Sequence, residues 1–150
     1  MYNRILVATD GSKTATMAVE EACKLARGTQ ARVRIVHVVD SPYAYADAWY
    51  PAGGVDVDAV DRTWRRAGQA ILDQAAAQAR AGEAALETAL LERQGQRASR
   101  VIADDAARWG ADVIVIGSHG RQGPEELLIG SVAEGVTRVA GVPVLLVRAR

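Results

Sequence analysis

Two short stretches of this 150-residue chain carry residues suited to holding phosphate groups, Gly117-Ser118-His119-Gly120-Arg121 and Gly130-Ser131-Val132, and a third, Asp10-Gly11-Ser12, offers a carboxylate that can accept from hydroxyls. Glycine tolerates positive φ and lets a main chain approach a ligand closely. A helix N-terminus adds free N–H groups and a positive dipole end, which together suit a phosphate. Gly117, Gly120 and Gly130 meet the first need, and Ser131 with Val132, opening an amphipathic run, meet the second. The pattern is neither Gly-x-Gly-x-x-Gly nor a P-loop, because no Gly-Lys-Ser/Thr occurs.

Each of these residues also has a purely structural reading. Ser131-x-x-Glu134 is a capping box, which satisfies helix donors without any ligand. Asp10 can accept from ribose hydroxyls, but an Asp before Gly-Ser more often closes an Asx turn or caps a helix. His37 lies within an apolar strand run and reads as a packed, hydrogen-bonded core histidine. His119 and Arg121 can face phosphate oxygens or stand in solvent. Two histidines, one cysteine and no clustered carboxylates give no protein-only metal site, and no Ser-His-Asp arrangement is legible. No catalytic residue is assigned.

The elements that must position these stretches follow from periodicity. Residues Asn3 to Thr9, Val33 to Val39, Asp112 to Ile116 and Pro143 to Val147 are short runs rich in β-branched residues, bounded by turn formers. Ala15, Ala18, Val19, Ala22, Leu25 and Ala26 recur at helical spacing, with Gly28 expected as the left-handed cap. A second helix carries the stripe Val57, Val60, Trp64, Ala67, Ile71, Ala75 and Gln78 and ends near Gly82; a third spans Ala98 to Trp109 before Gly110, and a fourth Ser131 to Ala140. Ala84 to Glu92 has helical composition, but its short length between Gly82 and Gly95 and its place in the order make it a strand. Residues 41–55 form an aromatic loop whose rings are expected to cover an open end of the core.

Alternating strands and helices predict an α/β fold, an open five-stranded parallel sheet with helices on both faces. In strand order 3-2-1-4-5 the winding reverses between the first and fourth strands, and ligands bind beyond their carboxyl ends. Asp10 and Gly117 would meet in that crevice.

Composition narrows the function classes. The chain is 49% hydrophobic, enough for one core, and residues 1–150 are expected to form a single domain. Equal counts of 18 basic and 18 acidic residues give no bulk attraction to nucleic acid or anionic lipid, so neither is an expected partner. The apolar run Ile5 to Ala8 is too short for a signal peptide, and no run approaches a membrane span, which predicts a cytoplasmic protein. Cys23 falls on the apolar side of its helix and reads as a buried structural thiol.

Ile5 to Ser12, His37 to Asp40, Ala111 to Arg121, Gly130 to Glu134 and Pro143 to Val147, in that order over essentially the whole chain, resemble the universal stress protein family. The spacing Gly117-x-x-Gly120, nine residues, then Gly130-Ser131 is that of the family's ATP-binding branch. The resemblance implies a Rossmann-like fold and bound ATP or another adenine nucleotide, with Mg²⁺ held through the phosphates. It places the triphosphate on the main chain of Gly117, Gly120, Gly130, Ser131 and Val132, with His119 and Arg121 in the same loop. It gives the ribose to Asp10 and adenine to the Val38 main chain, with Ala8, Thr9 and Ile116 nearby. It further implies a homodimer formed through the strand Pro143 to Arg148, covering an otherwise open sheet edge.

What the resemblance implies about function is a nucleotide-dependent sensor or regulator. A slow ATP hydrolase or phosphotransferase is the alternative from another class, and a dimeric interaction protein that has lost its nucleotide is a third. The chain departs from the family pattern in three ways: Ala8 stands where many members have proline, Pro124 replaces an open-chain apolar residue, and Glu125 with Glu126 replace positions that are often basic. Two carboxylates about 8 Å from roughly four phosphate charges would cost up to ~4 kcal/mol in water, and ~1.5 kcal/mol at physiological salt. The acidic pair therefore predicts weaker or metal-dependent binding.

Overall fold

A computed structural model describes residues 1–49, 54–80, 85–120 and 129–149. The elements run β1 (Arg4–Ala8), α1 (Lys13–Thr29), β2 (Arg32–Asp40), a 3-10 turn (Pro42–Tyr45), α2 (Ala46–Trp49), α3 (Val57–Arg80), β3 (Ala85–Arg93), α4 (Ala98–Trp109), β4 (Val113–Gly117), α5 (Ser131–Val139) and β5 (Val144–Val147). The strands form one five-stranded sheet in the order β3-β2-β1-β4-β5, and every pairing is parallel. This is the predicted topology.

Strand alternation divides the core into two layers. Ile5 and Val7 of β1 join Val33, Ile35, Val113 and Val115 under α1 and α3, where Val19 and Leu72 are fully buried. Leu6 and Ala8 join Val36, Ile114 and Ile116 on the opposite face, against Ile102 of α4 and Val136 of α5. The ambiguous segment is a strand because β2 pairs with it from Arg32↔Ala85 to Asp40↔Arg93, so sheet partnership overrides its helical composition. Cys23 belongs to the first layer at 5% exposure, and burial pushes its thiol pKa up, as suits an inert packed cysteine.

The structure corrects the sequence reading at three places in this frame. Gly28 is not the cap of α1: the helix continues to Thr29, and Gln30 takes the left-handed position at φ 54°. The buried stripe of α3 is Gly68, Leu72, Ala75, Ala76 and Ala79, whereas Ala67 is exposed, so the helix is turned by about one residue from the predicted face. Residues 42–49 form helical turns, and Tyr43 and Tyr45 do not cover the core. They are 52% and 38% exposed, with their hydroxyls donating to Asp58 and Asp40. Tyr50 and the Trp49 side chain lie outside the described residues.

Candidate functional site

β1 leaves the sheet toward β2 and β4 leaves it toward β5, so their carboxyl ends part and open a crevice between them. The crevice is a cavity of about 340 Å³. Every residue expected at a nucleotide site lines it except Arg121, which lies outside the described residues, as do Pro124, Glu125 and Glu126. Apolar walls come from Ala8, Val36, Val38 and Ile116 of the sheet, facing Ala98 and Ile102 of α4 and Ala133 of α5.

The sheet end of the cavity is shaped by unequal strand lengths. The β1–β2 register stops at Ala8↔Val36, while β2 continues to Asp40 paired with β3 alone. Along a strand, the N–H and C=O of alternate residues point to the same neighbour. Thr9 N donates to the Val36 carbonyl at 2.9 Å, so Val36 faces β1, and Val38 points the same way beyond the place where β1 has ended. Both main-chain groups of Val38, a donor beside an acceptor, are therefore aimed into the crevice. His37, one residue earlier and on the other face of β2, has its Nδ1 2.7 Å from the Thr9 carbonyl.

Asp10 forms the expected Asx turn, with Oδ1 accepting from Ser12 N at 2.9 Å, and Ser12 Oγ in turn caps α1 by accepting from Ala15 N. The other carboxylate oxygen of Asp10 lies against Gly120, where an added Cβ would come within 2.8 Å of it. Gly117 makes a different close approach. A Cβ there would lie 2.8 Å from the Thr14 carbonyl carbon and 2.9 Å from Ala15 N, so this glycine lets α1 sit against the end of β4. None of Gly117, Gly120 and Gly130 takes a positive φ; they supply close approach, not an unusual backbone conformation.

The loop after β4 is tied at several points. Ser118 N donates to the Val147 carbonyl at 2.8 Å, Gly130 N donates to the Ser118 carbonyl at 2.6 Å, and the Thr14 hydroxyl donates to the His119 carbonyl. Ser118 Oγ is 2.8 Å from His119 Nδ1, and His119 Nε2 is buried without a hydrogen-bond partner. The capping box is not formed. Gly130 is the N-cap of α5, Ser131 is already helical, and the Glu134 carboxylate turns outward to Arg138 at 2.6 Å. Glu134 N supplies the first intrahelical bond, to Gly130 O, so the N–H groups of Ser131, Val132 and Ala133 have no helical acceptor. All three residues line the cavity.

Sequence reasoning missed the walls from α4 and α5. Ala98 and Ile102 are spaced i, i+4 and were legible as one helix face, but only the fold reveals that part of that face lines a cavity. Among the described residues no cluster of His, Cys, Asp or Glu could hold a metal, and no helix is long and apolar enough to cross a membrane.

An open parallel sheet, wound both ways from its centre and carrying its cavity at the point of reversal, defines a doubly wound, Rossmann-like α/β protein. The model of the universal stress protein family matches residues 1–148, and the chain belongs to that family. It is 30% identical over 153 residues to the universal stress protein YxiE of Bacillus subtilis (strain 168), covering 99% of this chain and 100% of that protein. Among solved structures, a universal stress protein family member from Burkholderia pseudomallei is 32% identical with a TM-score of 0.77, covering 99% of this chain and 97% of that one. The universal stress protein from Archaeoglobus fulgidus in complex with dAMP is 26% identical with a TM-score of 0.69, covering 98% of each chain.

Proposed function

We propose that the crevice binds ATP or a related adenine nucleotide, and that the protein is a cytoplasmic sensor or regulator whose state follows nucleotide occupancy. One observation carries this reading: a single cavity of about 340 Å³ has an open donor–acceptor pair on Val38 at its sheet end and the uncapped first turn of α5 at the other. That volume falls within the range of about 300–1,000 Å³ usual for small-molecule sites. The dAMP complex of the A. fulgidus relative supports an adenine nucleotide as the occupant.

In this reading adenine lies between Ala8, Ile116 and Ile102 with its polar edge on the Val38 main chain, and Thr9 adjoins it. The ribose meets Asp10. The phosphates rest on the main chain of Gly117, Gly120, Gly130, Ser131 and Val132, where helix N–H groups and the α5 dipole favour negative charge. The unpartnered Nε2 of His119 would donate a hydrogen bond to that negative charge, and the guanidinium of Arg121 would offset it. Mg²⁺, held by the phosphates, would neutralise part of it. Two chains would pair through Pro143 to Arg148, since among the described strands β5 pairs with β4 alone and Leu145 stands 37% exposed on it; a sedimentation mass of one chain would remove the dimer.

The test is to purify the protein without added nucleotide, denature it and identify released adenylate by mass spectrometry. Wild type is expected to carry adenylate and Gly130→Val to carry none, because its side chain would fill the space between the loop and α5. Finding no adenylate, together with no thermal shift on adding Mg²⁺ and ATP, would sink the reading.

A further inference from the structure

In a parallel ladder a residue donates its N–H to one carbonyl of the neighbouring strand and accepts at its own carbonyl from the N–H two residues further along. Thr9 keeps the first half of this arrangement, donating to Val36 at 2.9 Å. The second half would be Val38 N–H to the Thr9 carbonyl. That rung is missing: no main-chain bond joins Val38 to Thr9, and His37 Nδ1 stands in its place at 2.7 Å.

We infer that His37 is a positioning residue for base recognition: by donating Nδ1–H to the Thr9 carbonyl it ends the β1–β2 ladder one rung early and keeps the Val38 N–H open to adenine. The inference rests on adenine nucleotide binding at this site. A carbonyl can only accept, so the proton must be on Nδ1, and the imidazole is a donor there whether neutral or cationic. The ring is held in place by α3. Gly68 lies so close that a Cβ on it would meet His37 Cδ2 at 3.0 Å and Leu90 Cδ1 at 2.8 Å. Without the imidazole, the carbonyl of buried Thr9 would need a donor, and the one in register with it, two residues beyond the Val36 carbonyl that Thr9 already engages, is Val38 N–H. His37 would thus govern the base end of the cavity while leaving the phosphate end alone.

The experiment compares wild type, His37→Leu and His37→Asn, the last of which returns an N–H donor at the same distance from the backbone as Nδ1. Amide hydrogen exchange at Val38 is measured without nucleotide, and affinity is measured for Mg-ATP and for inorganic tripolyphosphate. In His37→Leu the Val38 amide is expected to become protected as it rejoins the ladder. ATP affinity should fall about tenfold, the worth of one hydrogen bond, with tripolyphosphate changed by less than about twofold. His37→Asn should restore both readings toward wild type. If His37→Leu does not fold, His37→Phe, which keeps a ring against Gly68, takes its place with the same expectations. Unchanged ATP affinity, equal loss of ATP and tripolyphosphate, or an unprotected Val38 amide in the variant would each overturn the inference. A wild type that binds neither ligand removes the nucleotide reading instead, and the exchange comparison then decides the ladder claim by itself.

Discussion

Where the strands begin, the Asp112 carboxylate accepts from the main-chain N–H groups of Asn3 and Arg4 at 2.7 and 2.8 Å. Arg4 donates to the Trp109 carbonyl at the end of α4, the Trp109 indole donates to Glu87, and Arg34 bridges Glu87 and Asp105 at 2.9 Å each. Both guanidiniums also sit over the Trp109 ring, at 6.0 and 5.9 Å from its centre. Where the strands end, Val38 and the first turn of α5 instead aim donors into a cavity. A parallel sheet gathers helix C-termini at one end and helix N-termini at the other. The first end has carbonyls that this chain's own cations can satisfy; the second has N–H groups left for an anion. The difference separates what holds the fold from what remains available to a ligand, and it can be broken in either direction.

The strongest blow to the closed end is Asp105→Ala. Asp105 is 4% exposed, and its removal strands the largely buried Arg34 guanidinium, whose pKa is raised chiefly by the Asp105 hydrogen bond. A loss of about 3 kcal/mol in urea unfolding is expected, since breaking a buried pair leaves a charge that is only partly compensated. Glu87 remains as a second partner and sets the loss at the lower end of the range. Nucleotide affinity should be unchanged at temperatures where the variant is folded. A comparable fall in affinity would show that the two ends are coupled.

Gly117 and Gly130 test the boundary from the other side, because both belong to the same glycine motif. Gly117→Ala forces a methyl against the main chain of Thr14 and Ala15, neither of which can swing away, and should lose about 2 kcal/mol of stability. At Gly130 the nearest atoms are 3.4–3.5 Å from an added Cβ, ordinary contact, so Gly130→Ala should stay within about 0.5 kcal/mol of wild type. Thermal unfolding without nucleotide measures both. Equal destabilisation would mean that the motif acts as a single structural unit, with no division inside the crevice between a glycine that serves the fold and one left to the ligand.

These glycines also mark how far the sequence was legible. The strand runs, their order and the meeting of Asp10 with Gly117 follow from periodicity and crossover handedness, because each depends on local pattern and general topology. Which glycine serves the fold depends on how closely α1 approaches β4, a distance that no spacing encodes. Ser131-x-x-Glu134 reads as a capping box, yet Arg138 at i+4 draws Glu134 outward and Gly130 becomes the cap. The buried stripe of α3 lies beside the predicted one because Gly68, which has no side chain to mark it as apolar, is where the helix meets His37 and Leu90. The Arg34–Asp105 pair spans 71 residues and left no sign in either local segment.

Asp112 gives the smallest of the expected losses and the only one set by pH. Its pKa is held below the ordinary carboxylate value of 3.8, first by the Asn3 N–H and then by that of Arg4. A carboxyl whose pKa is lower in the folded state adds stability that is fully present above its unfolded value and is lost as pH falls through the folded one. Asp112→Asn keeps the shape and removes the charge, so wild type should exceed it by about 1 kcal/mol at neutral pH, a modest figure for an incompletely buried acceptor. The gap should narrow once pH drops below the unfolded value and close beneath the folded one. Chemical denaturation of both proteins across that range checks it. A gap that stayed constant to the lowest pH would mean that Asp112 acts through geometry alone, and that the beginning of the sheet is closed by hydrogen-bond shape and not by charge.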